Sequence, residues 1–367
     1  MVRSVKGGII MDSGPGLHLC EGFYKTLVLP ALRSHFPHLD HAAARIGLGS
    51  EVQGFDDALS ADHDYGPCVQ LFLREADFGS AAPMLMQMLD ECLPLKFRDW
   101  PVCYPTNVRP PKDAIGEGML GSDHGVELYT VSAWCDRFLD EPFKRQLTTL
   151  EWLSYSEQIF LVATGGAVFR DDFGEITALR NRLAYFPRDV WLYKLAVQWG
   201  LVAEERTYVG RAGDAGDELG SRVIASRMVD RLMRLAMLVE QRYAPYPKWF
   251  GSAFLRLDCA PELAPILECV LSAESWSERE AYLIDACRYI ATLQVQRGVP
   301  GAIAPELGTI HKRPFKFVNS LKISRSIQAS IADEELRNLR EYGAADQFLG
   351  NNFVLAVPQF SRAATLG

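Results

Sequence analysis

No run of apolar residues in this 367-residue chain approaches the ~20 needed to cross a bilayer, and no apolar stretch of the signal-peptide kind opens it. A cytoplasmic protein with no membrane partner is expected. No C-x-x-C spacing occurs among the eight cysteines, Cys20, Cys68, Cys92, Cys103, Cys135, Cys259, Cys269 and Cys287. They are scattered through segments that otherwise read as apolar core, so reduced, buried thiols are expected rather than disulfides or zinc. Positive charge is not in excess either. The net charge of -8 offers no broad basic field for duplex nucleic acid, so a small or cationic partner fits better than DNA. Internal repeats and low-complexity tracts are missing as well. What remains, 48% hydrophobic and 23% charged residues, is ordinary for a soluble globular protein long enough for two domains.

One stretch organises the rest: G-L-G-S-E-V-Q-G-F-D-D-A-L-S-A-D-H-D-Y-G-P, from Gly47 to Pro67. Gly49 lets a backbone come close to a ligand. Ser50 offers a hydroxyl and an amide to a phosphate, best at a helix N-terminus. Eleven residues later, Asp62-His63-Asp64 lead into an apolar segment, Cys68 to Leu73, with the look of a strand. Side chains alternate along a strand, so Asp62 and Asp64 are expected to share a side and His63 to face away. Two converging carboxylates repel unless a cation sits between them. Hard oxygen ligands with no thiolate set suit magnesium or manganese.

Gly-Ser, a spacer of about a dozen residues and D-x-D entering a strand resemble the DNA polymerase β-like nucleotidyltransferase superfamily, which includes the aminoglycoside and lincosamide nucleotidyltransferases. The runs G-S-E-V-x-G-F-D-D, S-x-D-H-D, D-V-W-L-Y and Y-A-P-Y-x-K-W look like an uncharacterised bacterial branch of it, over roughly residues 17 to 320. The resemblance implies that Gly49 and Ser50 hold a triphosphate, that ATP is the co-substrate, and that Asp62, Asp64 and a third acid on a later strand hold two Mg2+ (or Mn2+) ions. It supplies no acceptor.

The chain in order gives the following expectations. Residues 1–16 are glycine-rich and expected to be flexible, and Leu17 to Arg33 carries apolar residues at helical spacing. His35, His38 and His41 recur every three residues, but Pro37 breaks the helix that would align them, leaving surface-loop histidines rather than a metal site. Ser80 and Pro83 suggest the start of a helix running to Leu93, where Pro94 stops it. Arg98 to Gly121, with four prolines, reads as a long connection, either a lid or a surface excursion. Gly125 to Val131 alternates as a strand whose sole acid is Glu127. A carboxylate there is costly without a partner. Glu127 is therefore the candidate third acid over Asp123, which sits in a Gly-Ser-Asp-His turn where capping explains it.

Beyond Trp134 apolar residues recur at three and four spacing over Leu150–Ala163, Ile176–Tyr185, Arg188–Glu204, Glu218–Tyr243, Glu262–Ser272 and Ser277–Gln296. Trp152, Trp191, Tyr193 and Trp199 read as core aromatics. The stretch Val209 to Arg222 reads as a glycine-rich loop entering a long helix, where backbone amides can meet an anion, and puts Arg211 among the candidate nucleotide contacts; a flexible connector is the alternative. Arg227, Arg231 and Arg234 form a row expected to be solvated or ion-paired. In Tyr243-Ala-Pro-Tyr-Pro-Lys-Trp249 two prolines stiffen the chain ahead of Lys248, a point charge suited to phosphate. Lys248 is also the lysine that the resemblance implies for the triphosphate. In the tail, His311 to Phe317 is basic with two Phe and is expected to dock on the helical core, ahead of a charged helix around Ile331 to Tyr342.

The expected architecture is an α/β nucleotidyltransferase domain with a mixed sheet and flanking helices at 17–142, an all-α domain at 143–300 and a C-terminal extension at 301–367. The expected reaction moves a nucleoside monophosphate, AMP from ATP, onto a hydroxyl of an unidentified small molecule and releases pyrophosphate. Alternatives are a nucleotide-binding regulatory or antitoxin-like protein without turnover, or nucleotidylation of a protein or tRNA end.

Overall fold

The computed structural model describes residues 15–56, 65–103, 114–310, 313–339 and 343–366. Asp62, His63 and Asp64 lie outside these. Two compact units emerge, one up to Leu147 with Ile159–Ala184, the other Thr148–Gln158 with everything from Tyr185 onward.

The first unit is built on a five-stranded mixed sheet. Its strands are β1 (Ala42–Arg45), β2 (Val69–Phe72), β3 (Met119–Leu120), β4 (Val126–Tyr129) and β5 (Ala167–Asp171), in the order β3-β4-β2-β1-β5. β2 and β4 run parallel, with Gln70 in register with Glu127; the other pairs are antiparallel. Ala43, Val69, Leu71, Val126 and Leu128 bury one face against the opening helix and Glu75–Cys92. On the other face Phe72, Tyr129, Trp134 and Phe138 stack edge to tilt, with ring centroids 5.1–6.4 Å apart.

The opening helix starts at Pro15 and runs through a π turn, Tyr24–Val28, to His35, where Pro37 ends it as expected. Glu75–Cys92 begins five residues before Ser80. Glu75 and Asp77 sit in its first turn, where carboxylates favour the helix dipole, and Pro83 is inside the helix rather than at its start. His35 and His38 are exposed, but His41 is buried, with Nε2 2.8 Å from the Tyr24 hydroxyl, which corrects the surface-loop expectation for it. All eight cysteines are free thiols; Cys92 and Cys103 are exposed instead of buried.

In the second unit Arg188–Glu205 is apolar on nearly all sides, the mark of a central helix, and Trp191, Tyr193 and Trp199 are buried as expected. Around it run Glu218–Val239, Ala260–Ser272 and Trp276–Gln296, each within a few residues of the periodic stretches. The unit also holds a two-stranded hairpin, Leu307–Thr309 with Lys316–Val318. Phe315 is buried, 5.8 Å from the Trp276 ring, and the Arg206 guanidinium lies 4.7 Å over Phe317. Later residues join the same core: Ser324 Oγ donates to Ala196 O at 2.7 Å and Ser361 Oγ to Ser154 O at 2.8 Å.

Candidate functional site

Between β1 and residue 56 the chain makes a tight loop with Gly47 at φ +100° and Gly49 at φ +137°. A Cβ on Gly49 would lie 2.6–2.8 Å from the Glu51 carboxylate, the far end of a side chain that can shift, so it is the positive φ that favours glycine there. Arg45, the last residue of β1, clamps this loop. Its guanidinium pairs with Glu51 and donates to Leu48 O at 2.9 Å and Ile46 O at 3.2 Å. Burial opposes its charge, but Cys68, Glu51, Cys20 and Glu127 together push its pKa upward. Ser50 opens a turn closed by Phe55 N to Ser50 O, 2.9 Å, and Gly54 N to Glu51 O, 3.1 Å; the described residues place no helix N-terminus at Ser50. Gly16, at the start of the opening helix, donates its amide to Asp56 Oδ2 at 2.7 Å.

Glu127 is half-buried at the centre of β4. Its Oε2 lies 3.5 Å from Gln70 Nε2 and 3.3 Å from the Tyr129 hydroxyl. Gln70 in turn accepts from Ile46 N at 3.3 Å, so one amide side chain links the root of the Gly-Ser loop to Glu127. Burial and the Glu127 charge both push the Tyr129 hydroxyl far up, which keeps it a neutral donor. Asp123 is exposed. Its turn is closed by neighbours: Ser122 Oγ lies 2.8 Å from His124 Nδ1, which accepts from Val126 N at 3.1 Å. Arg45, Glu51 and Gln70 were not singled out as site residues from the sequence. The signal available was Arg45 and Glu51 flanking the glycines, a charge pair across a turn.

In the second unit, Lys248 is exposed in the first turn of Pro247–Phe254, with Nζ 4.7 Å over the Trp249 ring. Arg211 is exposed on a helix, Tyr208–Asp214, with its guanidinium 5.5 Å over Tyr208. The glycine-rich loop expected there is thus a helix and a tight turn. Arg211 N bonds to Thr207 O in helical fashion. Gly213 serves packing, since a Cβ there would meet the Trp276 side chain at 2.3–2.6 Å. Gly216, at φ +82°, ends the helix before Asp217 caps the next one by accepting from Gly220 N at 2.8 Å. Arg227 and Arg231 pair with Glu205, and Arg234 with Asp230, which settles that row as ion-paired.

Residues 152–250 match a family described as "Domain of unknown function (DUF4037)". No curated protein matches the sequence. Among solved structures, a nucleotidyltransferase-like protein from Exiguobacterium sibiricum 255-15 is similar at 13% identity and TM-score 0.33, over 74% of this chain and 78% of that one. A likeness that loose carries no inference about activity. Among the described residues no helix is long and apolar enough to cross a membrane, and no group of three or more His, Cys, Asp or Glu is placed to hold a metal.

Proposed function

We propose that this chain is a metal-dependent nucleotidyltransferase that moves AMP from ATP onto a hydroxyl of a small molecule and releases pyrophosphate. The observation that supports it most is the parallel pairing of β2 with β4. The strand that follows Asp62-x-Asp64 lies beside the strand carrying Glu127, and Gln70 joins Glu127 to the Gly-Ser loop. In this reading Gly49 gives the backbone close approach to the polyphosphate, Ser50 supplies hydroxyl and amide, and Arg45 keeps the loop in shape. The acceptor oxygen bonds to the α-phosphorus, the bond to the bridging oxygen breaks with its electron pair leaving on pyrophosphate, and the hydroxyl proton passes to water. The all-oxygen donors Asp62, Asp64 and Glu127 fit magnesium, as does a Glu127 carboxylate oriented by two neutral donors. When bound, such an ion lowers the pKa of the attacking hydroxyl and neutralises the leaving group.

Two measurements test it. ATP with magnesium should raise the melting temperature, because a ligand at 100 times its dissociation constant contributes about 2.7 kcal/mol, and EDTA should abolish most of that rise. An unchanged shift with EDTA removes the metal. Glu127→Gln should still bind ATP yet lose orders of magnitude of pyrophosphate release, whereas Asp123→Asn should stay active. Full activity of Glu127→Gln refutes its role.

A further inference from the structure

Cys20 and Cys68 are 48 residues apart in sequence, yet their sulfurs lie 3.5 Å apart. Cys20 belongs to the helix Pro15–Phe23 and is buried, with its thiol also 3.6 Å from Gly66 O. Cys68 is half-buried, in the segment that enters β2. A disulfide needs sulfurs about 2.05 Å apart, so an approach of roughly 1.5 Å between one helix and one strand entrance closes the bond. We propose that Cys20 and Cys68 are a redox pair that closes to an intramolecular disulfide on contact with a low-molecular-weight disulfide.

The two thiols are unequal, as the chemistry requires. The close contact with the Cys20 sulfur lowers the Cys68 thiol below its ordinary value despite burial, with the Arg45 charge helping, while the same contact and burial push Cys20 up. Cys68 is also the more accessible. It is therefore the attacking thiolate: its sulfur bonds to one sulfur of glutathione disulfide, and one glutathione leaves as thiolate. The Cys20 thiol then gives up its proton to that thiolate and attacks the Cys68 sulfur. The mixed disulfide breaks, the second glutathione leaves, and the Cys20–Cys68 bond forms. Two protein thiols are oxidised and one glutathione disulfide is reduced to two glutathione molecules.

The bond would tie the opening helix to the entrance of β2, the strand that pairs with β1, whose last residue Arg45 holds the Gly47–Glu51 loop. The pair stands whether or not the chain turns over a nucleotide.

The test uses the full-length reduced protein, incubated with rising ratios of oxidised to reduced glutathione. Remaining thiols are trapped with N-ethylmaleimide, and peptides are mapped by mass spectrometry. The expected product is a Cys20–Cys68 cross-linked peptide, lighter by the two hydrogens lost, with complete loss of alkylation at both positions and recovery on reduction. Cys20→Ser should stop at a glutathione adduct on Cys68. Cys68→Ser should leave Cys20 unmodified in the folded protein. Should the serine variants fail to fold, the reduced and oxidised wild types still decide: oxidation should raise the melting temperature. Both cysteines fully alkylated after oxidant treatment would overturn the proposal, as would cross-linking to other cysteines at comparable yield.

Discussion

Replacing Lys194 with methionine tests a buried ion-pair cluster in the second unit. Lys194 is 0% exposed, with Nζ 3.0 Å from Glu157 Oε1 and 3.2 Å from Asp346 Oδ2, and 4.6 Å over the Phe186 ring. The carboxylates have further anchors: Ala244 N donates to Glu157 Oε2 at 2.7 Å, and Glu157 N donates to Asp346 Oδ1 at 3.0 Å. Burial disfavours the ammonium charge, but the two carboxylates raise its pKa and hold it protonated. Methionine fills nearly the same volume and removes only the cation. Breaking a buried pair by removing one partner costs about 3–5 kcal/mol. The loss has a pH signature. Burial already pushes the Glu157 carboxyl upward, and without Lys194 it rises further. In the folded variant that carboxyl then holds a proton which the unfolded chain, at about 4.3, has released. The native state binds more protons, so stability rises as pH falls from 8 toward 5. Urea denaturation should therefore show the full loss at pH 8 and a smaller one near pH 5.5, and Glu157→Gln in the Lys194→Met background should recover part of it at pH 8. A loss below about 1 kcal/mol at pH 8, or one that grows in acid, would refute the reasoning.

Gly213→Ala should destabilise by about 1–2 kcal/mol, because the clash with Trp276 involves that residue's Cβ, which cannot swing away, and outweighs the helical gain of alanine. Gly251→Ala, with nothing within 4 Å of the new methyl inside Pro247–Phe254, should instead gain about 0.5–1 kcal/mol; thermal melts of the pair check both. His41 is packed against the Tyr24 hydroxyl, Leu39 O, Asp172 and Arg170, and burial lowers its pKa. The unfolded chain takes up that proton first, so stability should fall as pH drops below about 6.5. His41→Gln should flatten that part of the stability-pH curve; an unchanged slope would show that His41 does not carry it.

The second unit was legible where one signal decided the outcome. Arg188 to Glu205, which follows Pro187, and Trp276 to Gln296, which stops just before Gly298, show sustained helical periodicity, and their observed bounds fall within a residue or two of the expected ones. The glycines near Arg211 were misread because glycine answers two different needs. Left-handed backbone is one, as at Gly216; close approach of a neighbouring side chain is the other, as at Gly213, and only the tertiary neighbour Trp276 separates them. The strand β1 was invisible for a related reason. Ala42, Ala43 and Ala44 have little strand preference of their own, yet all three are fully buried between β2 and β5, where small side chains let helices approach the sheet. β5 was equally hidden, a five-residue strand among helical patterns whose pairing partner lies more than a hundred residues away.

The site divides along the same line. Gly49 was readable as a special backbone position because that need is local, a positive φ two residues before a carboxylate, whereas its approach to a phosphate belongs to the proposal. The strand holding Glu127 was readable from alternation. What makes Glu127 more than an isolated acid was not, since Gln70 reaches it only through the parallel register of β2 and β4, and a register between segments 57 residues apart leaves no trace in either one. The same holds for Arg45. As a lone basic residue after three alanines it looks unremarkable, and its meaning comes from Glu51, Leu48 and Cys68, which the loop and the sheet bring to it. A polar residue that bridges elements is identified by its partners, so Gln70→Leu is the sharper probe of this region than any change at the motif itself. It keeps the bulk, removes the acceptor for Ile46 N and the donor to Glu127, and should cost about 1–3 kcal/mol for the buried amide left unpaired. Loss of stability without loss of ATP binding would assign Gln70 to the scaffold alone, and loss of both would tie the Gly-Ser loop to Glu127 through this one side chain.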